Sequence, residues 1–456
     1  MKKHGLFLFH RDLRIIDNHA FSYACSHCDI LYCCFIFTPE QISISNKYRS
    51  IHAIQFMLES LQQLTNEIQY KGGDLYCFYG KTDQIISSLI DSLCIHELYF
   101  NKDFTPYAIL RDTLLQDICH QKQISCFVAS NDYYLYEPGT VSLYPKFTSF
   151  YHNVISLPYK QIEEIKQICQ FGTYTIWLEN QQLLSTIYTK YCGKKNLISL
   201  VLKGGRKKGL QLLHSLTTDD SFTHITSHSQ LSPFLKFGCI SIREAYQFFL
   251  HHYGLYCHFI RQLIWRDYFA HLLFLEPTRL INIYEPLPLL YPSFHNLTLF
   301  DAWKTGHTGF PLIDACMRQL NQTGYIQHRG RILVACCLIQ LFMIDWKKGE
   351  QYFAMKLIDY DVASNNGNWA TIFHRKGFHI MNPWIQSNKY DHDCIYIKTW
   401  IPELQNVLPK DIHKWDIMYS QYYHWGIDEY LSPIVDYREQ KKKFIHGYHH
   451  LNHHLK

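Results

Sequence analysis

The hydrophobic periodicity of this chain changes once, and that change limits the folds open to it. Up to about residue 130, short apolar runs alternate with stretches of helical spacing. Gly5 to Phe9, Leu31 to Phe37, Leu75 to Tyr79, Glu97 to Phe100 and Ile124 to Val128 read as strands. Between them, Ile51, Ile54, Met57, Leu58, Leu61, Leu64 and Ile68 recur at helical intervals from Tyr48 to Tyr70, and Gly72-Gly73 closes that run. Asp83 to Leu93 and Pro106 to His120 read as further helices. Strands separated by helices need crossover connections, so the expectation is α/β: a parallel sheet with helices on both faces. No G-x-G-x-x-G follows the first strand, which argues against ordinary dinucleotide binding there.

From Arg206 onward the alternation is gone. Ser241–Tyr253, Phe259–Phe274, Pro311–Leu320, Arg331–Phe342 and Gly349–Ile358 all read as helices. The intervening stretch is broken by Pro138-Gly139, Pro145 and Pro158 and reads as a connection with some helix. Lys203 to Lys208 reads as a basic, solvated helix start. The expected organisation is a Rossmann-like α/β domain over residues 1–130, a connection over 131–205, an all-α domain over 206–440, and a His- and Lys-rich tail over 441–456 with little order.

Composition narrows the function classes. Hydrophobic residues make up 47% and charged residues 18% of the 456, which excludes a disordered chain. No apolar run approaches membrane-spanning length. Gly5 to Phe9 is too short for a signal sequence, and His10-Arg11-Asp12 ends it. The expectation is a soluble, monomeric protein of the cytoplasm or nucleus. Sixteen Cys without a framework spacing point to reduced thiols. Cys25 and Cys28 form a lone C-x-x-C, short of the four ligands of a closed site, so no metal is expected. A net charge of +5 favours an anionic partner.

The most concentrated polar chemistry lies between Met355 and Trp369. Two acids (Asp359, Asp361), three amides (Asn365, Asn366, Asn368), a Gly and a Trp share one short segment. The apolar residues before it read as the end of a buried helix. Asn365-Asn366-Gly367 reads as a turn, because Gly and Asn tolerate positive φ. Such a set suits a planar polar ligand held edge-on, and it also suits a capped helix end followed by a surface loop.

The flanking motifs decide between these. Leu231-Ser232-Pro233-Phe234-Leu235-Lys236-Phe237-Gly238, Trp265-Arg266-Asp267-Tyr268-Phe269, Gly309-Phe310-Pro311-Leu312-Ile313-Asp314-Ala315, Arg329-Gly330-Arg331, Ile344-Asp345-Trp346, Asp359 to Trp369 and Trp400-Ile401-Pro402-Glu403-Leu404 follow in order. Together with Arg11-Asp12-Leu13-Arg14 and Asp17-Asn18 near the start, they resemble the DNA photolyase and cryptochrome family over nearly the whole chain, most closely its cyclobutane-dimer photolyases.

That resemblance implies FAD in the helical domain, light-driven electron transfer, and ultraviolet-damaged DNA as the partner. It implies that His228, Ser229, Gln230, Leu231 and Ser232 hold the FAD phosphates. It implies an Arg331–Asp359 ion pair over the flavin, with Tyr360 and Asp361 at its polar edge and Asn365 at N5. A carboxamide there leans toward repair, whereas plant sensory cryptochromes carry a carboxylate. Trp303, Trp346 and Trp369 match a relay that carries electrons from the surface to oxidised flavin. Gln262, Trp265, Arg266, His328 and Arg329 match the DNA side. Gln262 and His328 are shared with (6-4) photolyases, but Ile332 replaces the second His of that class. Ala108 stands where folate-binding relatives have a Glu, which leaves a deazaflavin, a flavin or nothing as the second, antenna chromophore.

Overall fold

The computed structural model of the chain describes residues 2–130, 132–142, 144–163, 169–174, 178–193, 202–216, 225, 229–277, 296–373, 380–424 and 430–454. Five strands, β1 (His4–Phe9), β2 (Ile30–Phe37), β3 (Leu75–Tyr79), β4 (Glu97–Asn101) and β5 (Ser125–Ala129), lie parallel in the order β3-β2-β1-β4-β5. Gly5 sits opposite Leu31 on one side and Glu97 on the other. Helices α1 (His19–His27), α2 (Ile51–Tyr70), α3 (Thr82–Ser92) and α4 (Pro106–Gln121) make the crossovers. Alternate side chains of each strand enter different cores, which explains the nearly continuous apolar runs. Phe7, Phe9, Cys33 and Phe35 face one, and Leu6, Leu8, Cys34 and Ile36 the other. The strand order reverses between β1 and β4, and Arg11 and Asp103 meet just beyond their carboxyl ends.

The connection does more than link. After α5 (Phe147–Val154), the two residues of β6 (Gln170–Phe171) return to the sheet beside Ile30 and Leu31, an addition too short to read from periodicity. α6 (Leu184–Cys192) then leads to the helical half: α7 (Arg206–Ser215), α8 (Ser232–Lys236), α9 (Ile242–Tyr253), α10 (His258–Leu275), α11 (Leu297–Thr305), α12 (Pro311–Thr323), α13 (His328–Cys336), α14 (Trp346–Lys356) and α15 (Val362–Phe373).

The halves share an apolar core that runs from Phe7 and Phe35 to Phe234, Ile240 and Phe249. A buried charge network reinforces the join. Arg14 donates to Asp132 at 2.7 Å and to the carbonyl of Gly238 at 3.1 Å. Arg243 on α9 donates to Asp17 at 2.9 Å and Asp132 at 3.2 Å, and the Ser241 hydroxyl donates to Asp17. The Leu13 amide donates to the Phe237 carbonyl at 3.0 Å. Gly238 has φ +61°, and a Cβ there would lie 2.3 Å from the Arg11 carbonyl, so the close approach needs glycine.

Two expectations are corrected. Asn365-Asn366-Gly367 is no turn; it lies within α15. The Asp361 carboxylate and carbonyl accept the Ser364 and Asn365 amides, at 3.0 and 2.8 Å, and so start the helix ahead of the amides. The chain end is also ordered: a helix runs from Tyr437 to His454, seated through Tyr437 and Phe444 on the second apolar core. All sixteen cysteines are free thiols. Among the described residues no helix is long and apolar enough to cross a membrane.

Candidate functional site

A cleft opens in the helical half between α13, α14, the segment from Leu357 to Asp361, and α15. Its walls bring together His328, Arg331, Asp359, Tyr360, Asp361, Asn365 and Trp369. Residues from α13 and α15 are adjacent because α14 ends at Lys356 and the five residues after it turn the chain back across α13.

Arg331 and Asp359 form a forked ion pair, with one guanidinium nitrogen 3.0 and 2.7 Å from the two carboxylate oxygens. The Ser232 hydroxyl, arriving from α8, donates to the same carboxylate at 2.6 Å. Arg331 Nε donates to the Ile326 carbonyl at 2.9 Å, which fixes the plane of the fork. Asp359 is thus joined to two distant helices.

Asp361 is buried, and burial alone would raise its pKa. Lys236, Arg11 and Arg266 outweigh that and hold the carboxyl well below the usual range, so it stays ionised. Arg11 reaches it at 3.1 Å from the loop after β1.

The Asn365 carboxamide NH2 donates to the Glu350 carboxylate at 3.1 Å and to the Glu350 carbonyl at 3.3 Å. Tyr360 donates to the same carboxylate at 3.3 Å. Burial raises the Glu350 pKa, and the bonds from Asn365 and Tyr360 work against it. Sequence reasoning missed Glu350. The available signal was its spacing: it lies four residues beyond Trp346, hence on the same buried face of α14.

Trp303, Trp346 and Trp369 are all buried, at 0, 4 and 2% exposure. Trp303 and Trp369 have ring centroids 6.4 Å apart at 71°, with Phe353 flanking both at 6.2 and 5.1 Å. Tyr352, edge-on to Trp303 at 5.7 Å and partly exposed, is the next ring outward.

On the open side, His328 is exposed at the mouth of the cleft beside Arg331. Arg329 is exposed and lies 5.0 Å from the Tyr390 ring. Gln262 and Trp265 are half-buried on α10. Trp265 is stacked on Phe147 at 3.6 Å, and Phe269 lies tilted against it at 5.3 Å. Arg266 is committed elsewhere: it donates to the Tyr133 carbonyl and lies 4.9 Å from the Tyr134 ring. Of the phosphate turn, Leu231 is buried, Gln230 has φ +55°, and the Ser229 hydroxyl accepts from the Leu231 amide at 3.5 Å. His228 lies outside the described residues.

This donor set suits a flavin. It offers two carboxylates to N–H edges, a carboxamide, a guanidinium held flat against a carboxylate, and a hydroxyl-bearing turn ahead of α8. Comparisons with known proteins agree. Residues 5–166 match the DNA photolyase family and residues 259–450 its FAD binding domain. The deoxyribodipyrimidine photo-lyase of Buchnera aphidicola subsp. Baizongia pistaciae is 30% identical over 97% of each chain. A cryptochrome DASH from Idiomarina loihiensis is 29% identical over 88% of this chain and 93% of its own. The crystal structure of an archaeal photolyase from Sulfolobus tokodaii, with two FAD molecules, superposes with a TM-score of 0.85 at 34% identity, covering 98% of this chain and all of the other. Family models matched in both halves, and relatives at 30% identity or more along nearly the whole length, place this chain in the DNA photolyase and cryptochrome family.

Proposed function

We propose that this protein repairs ultraviolet-induced pyrimidine dimers in DNA when driven by light, with cyclobutane dimers as its substrate. The observation that carries the reading is the state of Asn365. Its NH2 is committed to Glu350, which leaves its carbonyl oxygen, a neutral acceptor, for the flavin N5. FAD, when bound and reduced, supplies the electron that splits the dimer after excitation. The residues of the chain position and tune it. Arg331 and Asp359 would lie over the ring with their charges balanced. Tyr360 and Asp361 would meet its polar edge. Ser229 to Ser232 would hold the phosphates, with His228 beside them.

The DNA must give up a flipped dimer, and enzymes that take bases out of the stack spend a few kcal/mol on it. Gln262, His328 and Trp265 would receive it. Arg329 would meet a flanking phosphate, which makes binding fall as salt rises. One feature favours cyclobutane dimers over (6-4) photoproducts: Ile332 gives the cleft an apolar wall where the second His of that class would stand. Names among the relatives divide between photo-lyase and cryptochrome DASH, and the Asn365 carboxamide sets the chain apart from plant sensory cryptochromes, which carry a carboxylate there. A second chromophore would sit in the α/β domain. Ala108, buried in the first turn of α4, offers no carboxylate to a folate, which supports a flavin.

The test is direct. Reduced protein is illuminated with duplex DNA carrying either lesion, and restored pyrimidines are counted. Loss of cyclobutane dimers is expected. Repair of neither lesion overturns the proposal, and repair of (6-4) photoproducts alone transfers it to that class.

A further inference from the structure

We infer that Arg11, a residue of the α/β domain, is a positioning residue of the flavin site: it aims Asp361 and keeps the cleft's polar edge net positive. The inference rests on FAD occupying the cleft with Asp361 at its edge.

The geometry is specific. Arg11 lies two residues beyond β1, at the strand-order reversal, so its side chain leaves the sheet toward the helical half. One terminal nitrogen donates to Asp361 at 3.1 Å. The other donates to Asp103, just after β4, at 2.6 Å and to the Tyr134 hydroxyl at 2.7 Å. The guanidinium carbon lies 4.7 Å from the Tyr133 ring, and Arg11 is only 8% exposed. A planar fork held by three partners and a ring has one orientation. The Asp361 carboxylate that it grips also caps α15, the helix that carries Asn365 and Trp369. A shift of Arg11 is therefore transmitted to the two residues that bracket the flavin.

Charge supplies the second half. The groups facing Asp361 are Lys236 from α8, Arg266 from α10 and Arg11. Those facing Arg11 are Asp103, Asp361, Tyr134 and Tyr133. With Arg111 and Asp112, which pair with each other beside Asp103, four cations meet three carboxylates, and one positive charge is left in a largely buried place. A buried uncompensated charge is costly. An anion at the cleft's edge relieves that cost, so the cluster favours a flavin that gains negative charge on reduction.

The experiment uses the full chain with FAD and reads FAD dissociation by fluorescence and the two-electron midpoint potential of bound FAD. Arg11→Gln removes the charge. It is expected to weaken FAD binding at least tenfold and to move the potential negative by a tenfold equivalent, about 30 mV for two electrons. Asp103→Asn leaves Arg11 charged and removes a carboxylate, so it is expected to move the potential the opposite way. Arg11→Lys keeps the charge without the fork and is expected to hold the potential while losing affinity. A purely structural Arg11 would change thermal stability and leave the potential still. Parental affinity and potential in Arg11→Gln, or shifts of the same sign in Arg11→Gln and Asp103→Asn, would overturn the inference. Failure of lesion repair by the parent protein would leave these flavin readouts intact, so the two proposals fail separately.

Discussion

Gly367→Ala sets two known effects against each other at the centre of the site. In α15 the exchange gains about 1 kcal/mol of helix propensity. Against it stands Phe269 of α10. A Cβ on residue 367 would lie 2.2, 2.5 and 2.9 Å from three atoms of that ring. Ordinary contact begins beyond 3 Å, so ring or helix must retreat by about an ångström. Phe269 is 3% exposed and is itself wedged against Trp265 and Tyr268, at 5.3 and 5.7 Å, so it has nowhere to swing. Overpacking of this kind costs about 1–3 kcal/mol, and a rigid aromatic wall puts it near the upper figure. The expected net loss is about 1–2 kcal/mol, read as a lower urea midpoint at unchanged slope. FAD affinity should fall with it, because Asn365 and Trp369 ride on the displaced helix. Phe269→Leu in the same chain should return more than the sum of the single changes predicts, with a coupling of about 1 kcal/mol. A raised urea midpoint in Gly367→Ala would mean that helix propensity decides here, and the argument from close packing of α10 on α15 would be wrong.

Three further outcomes follow from the same geometry. Arg331→Met strands the Asp359 carboxylate with Ser232 as its remaining side-chain donor. With the arginine side chain 24% exposed, the loss should be near the lower end of the 3–5 kcal/mol range for broken buried pairs, measured by chemical denaturation; unchanged stability would refute it. Glu350→Leu removes the Asn365 and Tyr360 acceptor and should weaken FAD binding by about 1 kcal/mol, while Glu350→Gln, which keeps an oxygen in place, should recover most of it. Equal effects from both changes would count against an orienting role for Glu350. Burial raises the Asp267 pKa to about 7, against about 3.9 in an unfolded chain. The folded state then holds the extra proton between those values, so stability falls as pH rises from about 4 to 7. Asp267→Asn should flatten that slope in urea midpoints taken across the range, and an unaltered slope would rule Asp267 out as its source.

The sheet was legible because buried parallel strands leave almost continuous apolar runs, and those runs agree with the observed strands to within a residue or two. Three features escaped for identifiable reasons. β6 is two residues long and has no period to detect. Asn365-Asn366-Gly367 carries turn propensity, which tertiary context overrides through the Asp361 cap and the facing Phe269 ring. The final helix is dominated by Lys and His, and its apolar contacts, Tyr437 and Phe444, are too sparse to stand out. In the site, Arg331, Asp359 and Asn365 were legible through motifs, whereas Arg11 and Asp361 are 350 residues apart and no local pattern pairs them. The inward commitment of Arg266 and the burial of Trp303 are likewise matters of packing, on which residue type is silent.

The charges of Arg14 and Asp17 bear on how the chain is made. These residues leave the ribosome early, yet Asp132, Ser241 and Arg243 emerge more than a hundred residues later. Until then the strands can pair, but two charged side chains destined for the interior have only each other and water as partners. The α/β half of a nascent chain should therefore remain loosely closed at this corner, and its final locking should wait for synthesis of α9. Cutting the gene between the halves would leave each fragment with a charge it cannot bury. An exchange of halves between relatives would succeed only if the Asp17, Asp132 and Arg243 positions, with the Gly238 turn, travel as one set.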